Sequence, residues 1–410
     1  MVASKVTDMD QTRVSGAASD RDRMGVPVRT PRLLLRRPTM ADAAFHHALH
    51  SDPALYEHSP SAREVDATAN AEVLRRWIEH WEREGFGYWI AERVPLGRAG
   101  SIAEPSIGPP VGFVGVRRDA DVLNLYYRFS PPGSRPLATD GDPEESRGLG
   151  REAARAAVAW ATQWLPDERV QAVCKQTNAR AIATAHAAGL LPAGRLDAGD
   201  GSMFGRWVSP RFEVTSGGEV TSGAGGSTVA AFTDGEVDEM LDLWERVVRA
   251  EGSVGFRQDA PRPEISDRLR QQLDATLTGA QILVRMRDPA DRLLGFAWWV
   301  RGPRPMFAHV LELSRLMVDP TQHGRHLGSI LLARLHAVAR AEPDVRLLHA
   351  EYRAGAGLGR FYAANGYVEV GRYPGFIQPE EGVFVDSVSV LRRCDGEPLP
   401  GGPFPVRGVQ

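Results

Sequence analysis

Cysteine is nearly missing: Cys174 and Cys394 are the only two in 410 residues. So few thiols exclude a disulfide framework and a cysteine zinc site, and they fit a chain kept in a reducing cytoplasm. An excess of either charge is missing as well. The formal net charge is -3 and the pI is about 6.4, whereas binding to nucleic acid or to a membrane surface needs a concentrated basic face. Neither is an expected partner. Long apolar runs are also lacking at the start, where the first 26 residues are polar. They are neither a signal peptide nor a membrane span, and residues 1–27 read as a disordered leader. What remains, 42% hydrophobic and 25% charged residues, is the composition of an ordinary water-soluble chain long enough for two or three separately packed cores.

One stretch is too poor in apolar groups to pack: SGGEVTSGAGGST, residues 216 to 228. It reads as a flexible joint. The expected organisation is a first domain over 28–213, a linker over 214–227 and a second domain over 228–394, with a disordered Pro/Gly-rich tail over 395–410.

The two halves repeat one another. In the first, Gly148 and Gly150 open an apolar-periodic helix, a strand follows at Val170 to Cys174, and a further helix ends in AAGLLPAGR. In the second, Gly324 and Gly328 open a helix, a strand follows at Arg346 to Glu351, and the next helix ends in AANGYVEVGR. Gly150 and Gly189 lie 39 positions apart, and Gly328 and Gly366 lie 38 apart. Upstream, each half begins with a strand (Pro31 to Arg36; Val229 to Phe232), followed by two helices and three strands. One supersecondary plan therefore occurs twice, as in a tandem duplication, and its order is α+β. Other features have plain readings: His46-His47 as a helix surface, and Trp298-Trp299 as alternating strand residues, one entering the core and one lining an acceptor groove.

This order of elements and the two strand–loop–helix segments, VDPTQHGRHLGSILL and EESRGLGREAARAAVAWA, resemble the GNAT acyltransferases. Their loop, written Q/R-x-x-G-x-G/A, binds the pyrophosphate of acetyl-CoA. The resemblance covers nearly all of both halves, and TPRLLLR near the start is similar to the branch that acetylates ribosomal-protein N-termini. It implies two tandem α+β domains, each a mixed, mostly antiparallel sheet flanked by helices, and acetyl-CoA or another acyl-CoA as cofactor. The physics fits, because a helix N-terminus presents unpaired amides and partial positive charge to a phosphate.

The cofactor-binding residues implied are Leu316, Met317, Val318, His323, Gly324, Arg325, His326, Leu327, Gly328 and Ser329, with Gly148, Leu149, Gly150 and Arg151 in the first half. Here the pattern is altered: His326 stands where the family has glycine, and His323 and Glu145 replace its Gln or Arg. No third ligand accompanies His323 and His326, so no metal is expected. Aminolysis of a thioester needs a neutral amine, an oxyanion donor and a proton for the leaving thiolate. In FYAANGY, Tyr362 matches the family's general acid, with Tyr367 beyond the helix end. Glu312 is the expected base or head of a water relay, with Glu351 and Asp386 as alternatives. A backbone N–H near Leu316 to Val318 would serve the oxyanion. The first half has Ala185 at the tyrosine position and Ala181 where the branch has serine. The expectation is therefore an N-acetyltransferase with its chemistry in the second domain, acting as monomer or homodimer on a small-molecule primary amine. A protein N-terminus as acceptor, or a non-catalytic acyl-CoA-binding sensor or scaffold, are the alternatives.

Overall fold

The computed structural model describes residues 24–94, 107–130, 147–197, 202–217, 219–222 and 232–399. They form two eight-stranded sheets. The first holds β1 (Val28–Arg29), β2 (Leu33–Arg36), β3 (Tyr88–Arg93), β4 (Pro110–Asp119), β5 (Val122–Phe129), β6 (Val170–Lys175), β7 (Leu191–Asp197) and β8 (Met203–Val208). Their spatial order is β1-β2-β3-β4-β5-β6-β8-β7. Its helices are α1 (Ala43–Ser51), α2 (Ala67–Glu84), α3 (Leu149–Trp164) and α4 (Ala179–Ala187).

The second sheet holds β9 (Arg211–Ser216), β10 (Glu219–Ser222), β11 (Gln281–Arg287), β12 (Leu293–Arg301), β13 (Val310–Val318), β14 (Leu347–Arg353), β15 (Val368–Glu380) and β16 (Val383–Arg393). They run β10-β9-β11-β12-β13-β14-β16-β15, with helices α5 (Asp234–Arg249), α6 (Arg262–Leu277), α7 (Leu327–Ala341) and α8 (Leu358–Ala364). In each sheet one neighbouring pair is parallel, β5 with β6 and β13 with β14, and the other pairs are antiparallel. The α+β duplication is thus present from β2 and β9 onward, while the edge strands differ: β1 precedes β2 in the chain, whereas β10 follows β9.

Local chemistry sets the helices. Helix α5 starts at a capping box, in which the Thr233 side chain accepts from the Glu236 amide while Glu236 accepts from the Thr233 amide; this satisfies amides that a helix start leaves unpaired. Its stripe of Met240, Trp244, Val247 and Val248 then packs, with α6, on Leu283, Phe296 and Trp298. Helices α1 and α2 cover the first sheet in the same way, through Leu49, Leu74 and Trp77 against Ile90 and Phe113.

The other face of each sheet carries α3 or α7, and these two helices pack on each other. A single apolar core therefore runs from Val114 and Leu125 through Ala153 and Ala157 to Leu331, Leu335, Ala297 and Leu311. Burying two helices against each other removes apolar surface at roughly 25 cal/mol per Å², so the halves are joined by packing and not only by the chain.

Three expectations are corrected. Of the strand expected at Val229 to Phe232 only Phe232 is described, and it is not in a strand; among the described residues the second sheet opens with β9, before the Gly/Ser-rich stretch. Glu213 explains why. It pairs with Arg285 (3.0 Å) and Arg287 (3.2 Å) of β11, two arginines that are 2% and 6% exposed and would be costly to bury without partners. The linker expected over 214–227 therefore begins as ordered sheet, and the hairpin β9–β10 edges the second domain. Secondly, His46 is no surface residue: it is fully buried and stacks on His50 at 4.0 Å. Finally, Trp298 and Trp299 are both fully buried. Trp298 enters the α5–α6 core, and Trp299 donates to the Leu335 carbonyl at 2.7 Å, so neither lines an acceptor groove. The leader lies almost wholly outside the described residues, as does most of the tail.

Candidate active site

Strands β13 and β14 pair only from Val310–Leu347 to Leu313–Ala350. Beyond that point they separate. The parting coincides with a bulge in β13: the register against β12 shifts between Ser314 and Met317, and Arg315 takes φ 54. A bulge twists its strand and re-aims the residues beyond it. The edge of β13 facing β14 consequently has no strand partner beyond Leu313, and it offers backbone donors and acceptors to any amide-bearing chain laid along it.

A cavity of about 470 Å³ occupies this gap. On the α7 side it is lined by Gln322, His323, Gly324, His326, Leu327, Gly328, Ser329 and Phe361. At its waist are Leu316, Met317, Val318 and Tyr362, and it opens on the α5 side at Val247, Gly252–Val254, Arg315 and Glu351. It passes through the sheet, with a helix N-terminus at one end.

The loop before α7 is shaped by Asp319. Its Oδ1 accepts from the Thr321 amide and hydroxyl (3.0 and 2.7 Å), and its Oδ2 from Arg246 (3.2 Å). These partners hold the carboxyl below its ordinary value although burial opposes them. Gly324 and His326 both have positive φ, 78 and 63. The N-cap of α3, Gly148, has the same conformation, φ 78, so His326 occupies a glycine-type position at a cost of about 1 kcal/mol. His326 lines the cavity. Burial first, and then the Arg155 charge, lower its pKa to about 4, and its Nε2 is shielded from solvent without a partner among the described residues.

Tyr362 is 7% exposed and is packed by Phe361, Tyr352 and Tyr367, with ring centroids 5.2 to 5.4 Å away. Burial pushes its phenol well above the ordinary range, so the hydroxyl keeps its proton at neutral pH. Tyr367 is turned away into the core, where its hydroxyl meets His336 at 3.1 Å.

Of the residues expected from sequence, the cavity gathers Tyr362, Leu316 to Val318, His323, Gly324 and His326 to Ser329. Arg325 is not in its wall, since its backbone lies over Gly189 of the first domain. Glu312 is not there either: it lines a separate depression of about 300 Å³ with His349 and Phe307, because the bulge at Arg315 separates its end of β13 from the opening. Glu312 thus lies apart from the cavity, whereas Glu351 is in its wall. Asp386 is engaged by Arg372 and the Gly375 amide.

In the first domain the corresponding gap is barred. Tyr127, four residues before Pro131 as Leu316 is before Pro320, lies beyond the last β5–β6 pair, Asn124–Gln171. Its hydroxyl donates to the Ala181 carbonyl at 2.7 Å and lies 3.9 Å from Cys174 Sγ. Gly150 is packed against Phe129, Leu149 is buried, and Gly148 and Arg151 line a different groove between the domains. Glu145 lies outside the described residues.

Sequence reading missed Arg155, Arg315 and the Gly252–Val254 turn. Arg315 had a visible signal, a single cation inside the apolar run LSRLMV; the turn had none.

Residues 32–190 match the acetyltransferase (GNAT) domain and residues 243–367 the acetyltransferase (GNAT) family. Similar solved structures include a GNAT-family acetyltransferase from Streptococcus pneumoniae, at 18% identity over 40% of this chain and 96% of that one, TM-score 0.34. A ribosomal-protein-alanine N-acetyltransferase from Brucella melitensis aligns at 21% over 40% and 97%, TM-score 0.34. A Salmonella typhimurium protein regarded as an acetyltransferase, solved with its cofactor acetyl-CoA, aligns at 17% over 42% and 95%, TM-score 0.35. Each has about the length of one half of this chain. Two family matches in tandem, each on its own sheet, make the chain a member of the GNAT acetyltransferases, enzymes of acetyl-CoA-dependent acetyl transfer.

Proposed function

We propose that the second domain is the catalytic one and that it transfers acetyl from acetyl-CoA to the primary amine of a small molecule. The observation that carries this reading is the cavity through the β13–β14 gap, which brings the α7 N-terminus, the free β13 edge and Tyr362 into one space. The first domain has alanine at the matching helix position and Tyr127 across its own gap.

Acetyl-CoA supplies an activated thioester. The amides at the start of α7 would hold its phosphates, and the unpaired edge of β13 would offer hydrogen-bonding partners to its amide-bearing arm. A β13 amide at Leu316 to Val318 would serve as donor to the oxygen on which charge develops. The Tyr362 hydroxyl has no protein partner among the described residues and stays protonated, so it would supply the proton that a departing thiolate needs. Glu351, half exposed at the α5-side opening, takes the proton lost by the attacking amine. The enclosed approach past Val247 and Gly252–Val254 favours a small acceptor over a folded protein surface.

The test is acetyl-CoA titration of the full chain, followed by an amine screen read as released thiol. Tyr362→Phe is expected to lower kcat about 100-fold while leaving acetyl-CoA affinity within about twofold. Gly328→Phe, which drives a ring into the space against Phe361, is expected to abolish binding. Binding that survives Gly328→Phe would move the site out of this domain, and binding without turnover on any amine would establish a non-catalytic acyl-CoA binder.

A further inference from the structure

A groove of about 760 Å³ runs between the domains, from Arg29 and Arg32 beside β1 along facing sides of α3 and α7 to Asn365 at the end of α8. Arg155, His326, Ser329 and Phe361 line both this groove and the cavity in the second sheet. The two spaces therefore meet at the N-terminus of α7, where a bound diphosphate would lie.

Arg155 belongs to the first domain, on the second turn of α3. Its Nε donates to the Ala187 carbonyl at 2.8 Å, and its Nη2 crosses the interface to the Gly324 carbonyl at 3.2 Å. Both partners are neutral. No carboxylate lies within ion-pair distance of it among the described residues, whereas nearby Arg32 is paired with Glu152 at 2.7 Å. Burial first, and then the neighbouring Arg151 charge, lower its pKa against the attraction of Glu152, so the site holds a partly desolvated cation whose neighbouring carboxylate is itself engaged by Arg32. Beside it stands the unpartnered Nε2 of His326. Two fixed carbonyl contacts orient the guanidinium and leave Nη1 and one Nη2 hydrogen available, which is the donor geometry that phosphate oxygens accept.

We infer that the first domain completes the cofactor site of the second: Arg155 is a ligand of the coenzyme A diphosphate, and the interdomain groove receives the nucleotide end. This rests on the proposal that the second domain binds acetyl-CoA. The pantetheine arm fills the gap in the sheet, and the remainder of the molecule must leave that gap at the α7 N-terminus, where the groove begins. Trp160, Ala333 and Ala364 give the groove apolar walls suited to a base.

The experiment compares the full-length chain with Arg155→Gln and Arg155→Lys by coenzyme A titration at several KCl concentrations, and by kcat/KM for acetyl-CoA and for S-acetylpantetheine, which lacks the phosphates. Arg155→Gln is expected to weaken coenzyme A binding about 10- to 100-fold and to flatten its salt dependence, with partial rescue by lysine. Its kcat/KM for S-acetylpantetheine is expected to match that of the unaltered protein. Equal losses with both acyl donors, or an unchanged salt dependence, would make Arg155 a structural strut and overturn the inference. If the unaltered chain binds no coenzyme A, the proposal about the second domain fails; if it binds and Arg155→Gln binds equally well, the inference alone fails. Should turnover be absent, the titrations and their salt dependence decide the question by themselves.

Discussion

His46, His50 and His326 are held neutral inside the fold. Burial is the first cause in each, and their pKa values fall to about 3, about 4 and about 4. In the unfolded chain each returns to an ordinary value near 6.5. Between pH 6.5 and about 4 the unfolded chain therefore binds protons that the folded one does not. Stability is full above pH 6.5, declines as pH falls through that window and levels off below it. Urea midpoints measured at pH 7.0 and pH 4.5 should show this loss, and equal midpoints would contradict neutral burial. Asp319, whose carboxyl is depressed, acts in a lower window: its contribution is present above the ordinary carboxylate range and disappears as pH falls through its folded value. At this scale the sequence was partly legible. The GNAT resemblance singled out Gly324, Gly328 and Tyr362, and all three line one cavity. The burial of His46 was not, since it depends on how α1 sits against Trp77 and Phe113, 4.9 and 5.4 Å from its ring. That Glu312 would lie apart from the cavity was not legible either, because a bulge is a property of strand register, which residue type does not encode.

Among the elements, β9 shows where composition misleads. A Gly/Ser-rich stretch marks a joint, yet the joint's first residues can still be strand if a partner holds them. Glu213→Gln should cost about 2–3 kcal/mol by urea denaturation, because two nearly buried arginines lose a shared carboxylate. A loss under about 0.5 kcal/mol, the range of surface substitutions, would show that Glu236 and Glu239 suffice. The β5–β6 gap makes a second element-level prediction. In a Cys394→Ser background, Tyr127→Ala should speed the reaction of Cys174 with a thiol reagent at least about tenfold, since the tyrosine screens a thiol that is 7% exposed and raised in pKa by burial. An unchanged rate would mean that other groups close the gap. The remaining element order was readable, because alternating strands and amphipathic helices write their periods into sequence. The residue that bars the first domain's gap was not, since a tyrosine in a strand reads equally as core, surface or bar.

For the whole molecule, the repeat predicted two domains but not their shared core. Helices α3 and α7 each present an apolar face in sequence, and nothing local says that these faces meet. The full chain should accordingly melt in one cooperative step by calorimetry. A fragment beginning at residue 228, beyond the expected linker, loses β9 and β10 and uncovers α7; it should be markedly less stable than one beginning at residue 210, and two separate transitions in the intact chain would refute the continuous core. The contact of α3 with α7 also has a genetic reading. A lesion in the core of the first half would register as a defect of the second half's loop, and suppressors of it would gather on α7, far along the sequence from the original change. Duplication here has yielded a pair of halves that selection can no longer test one at a time.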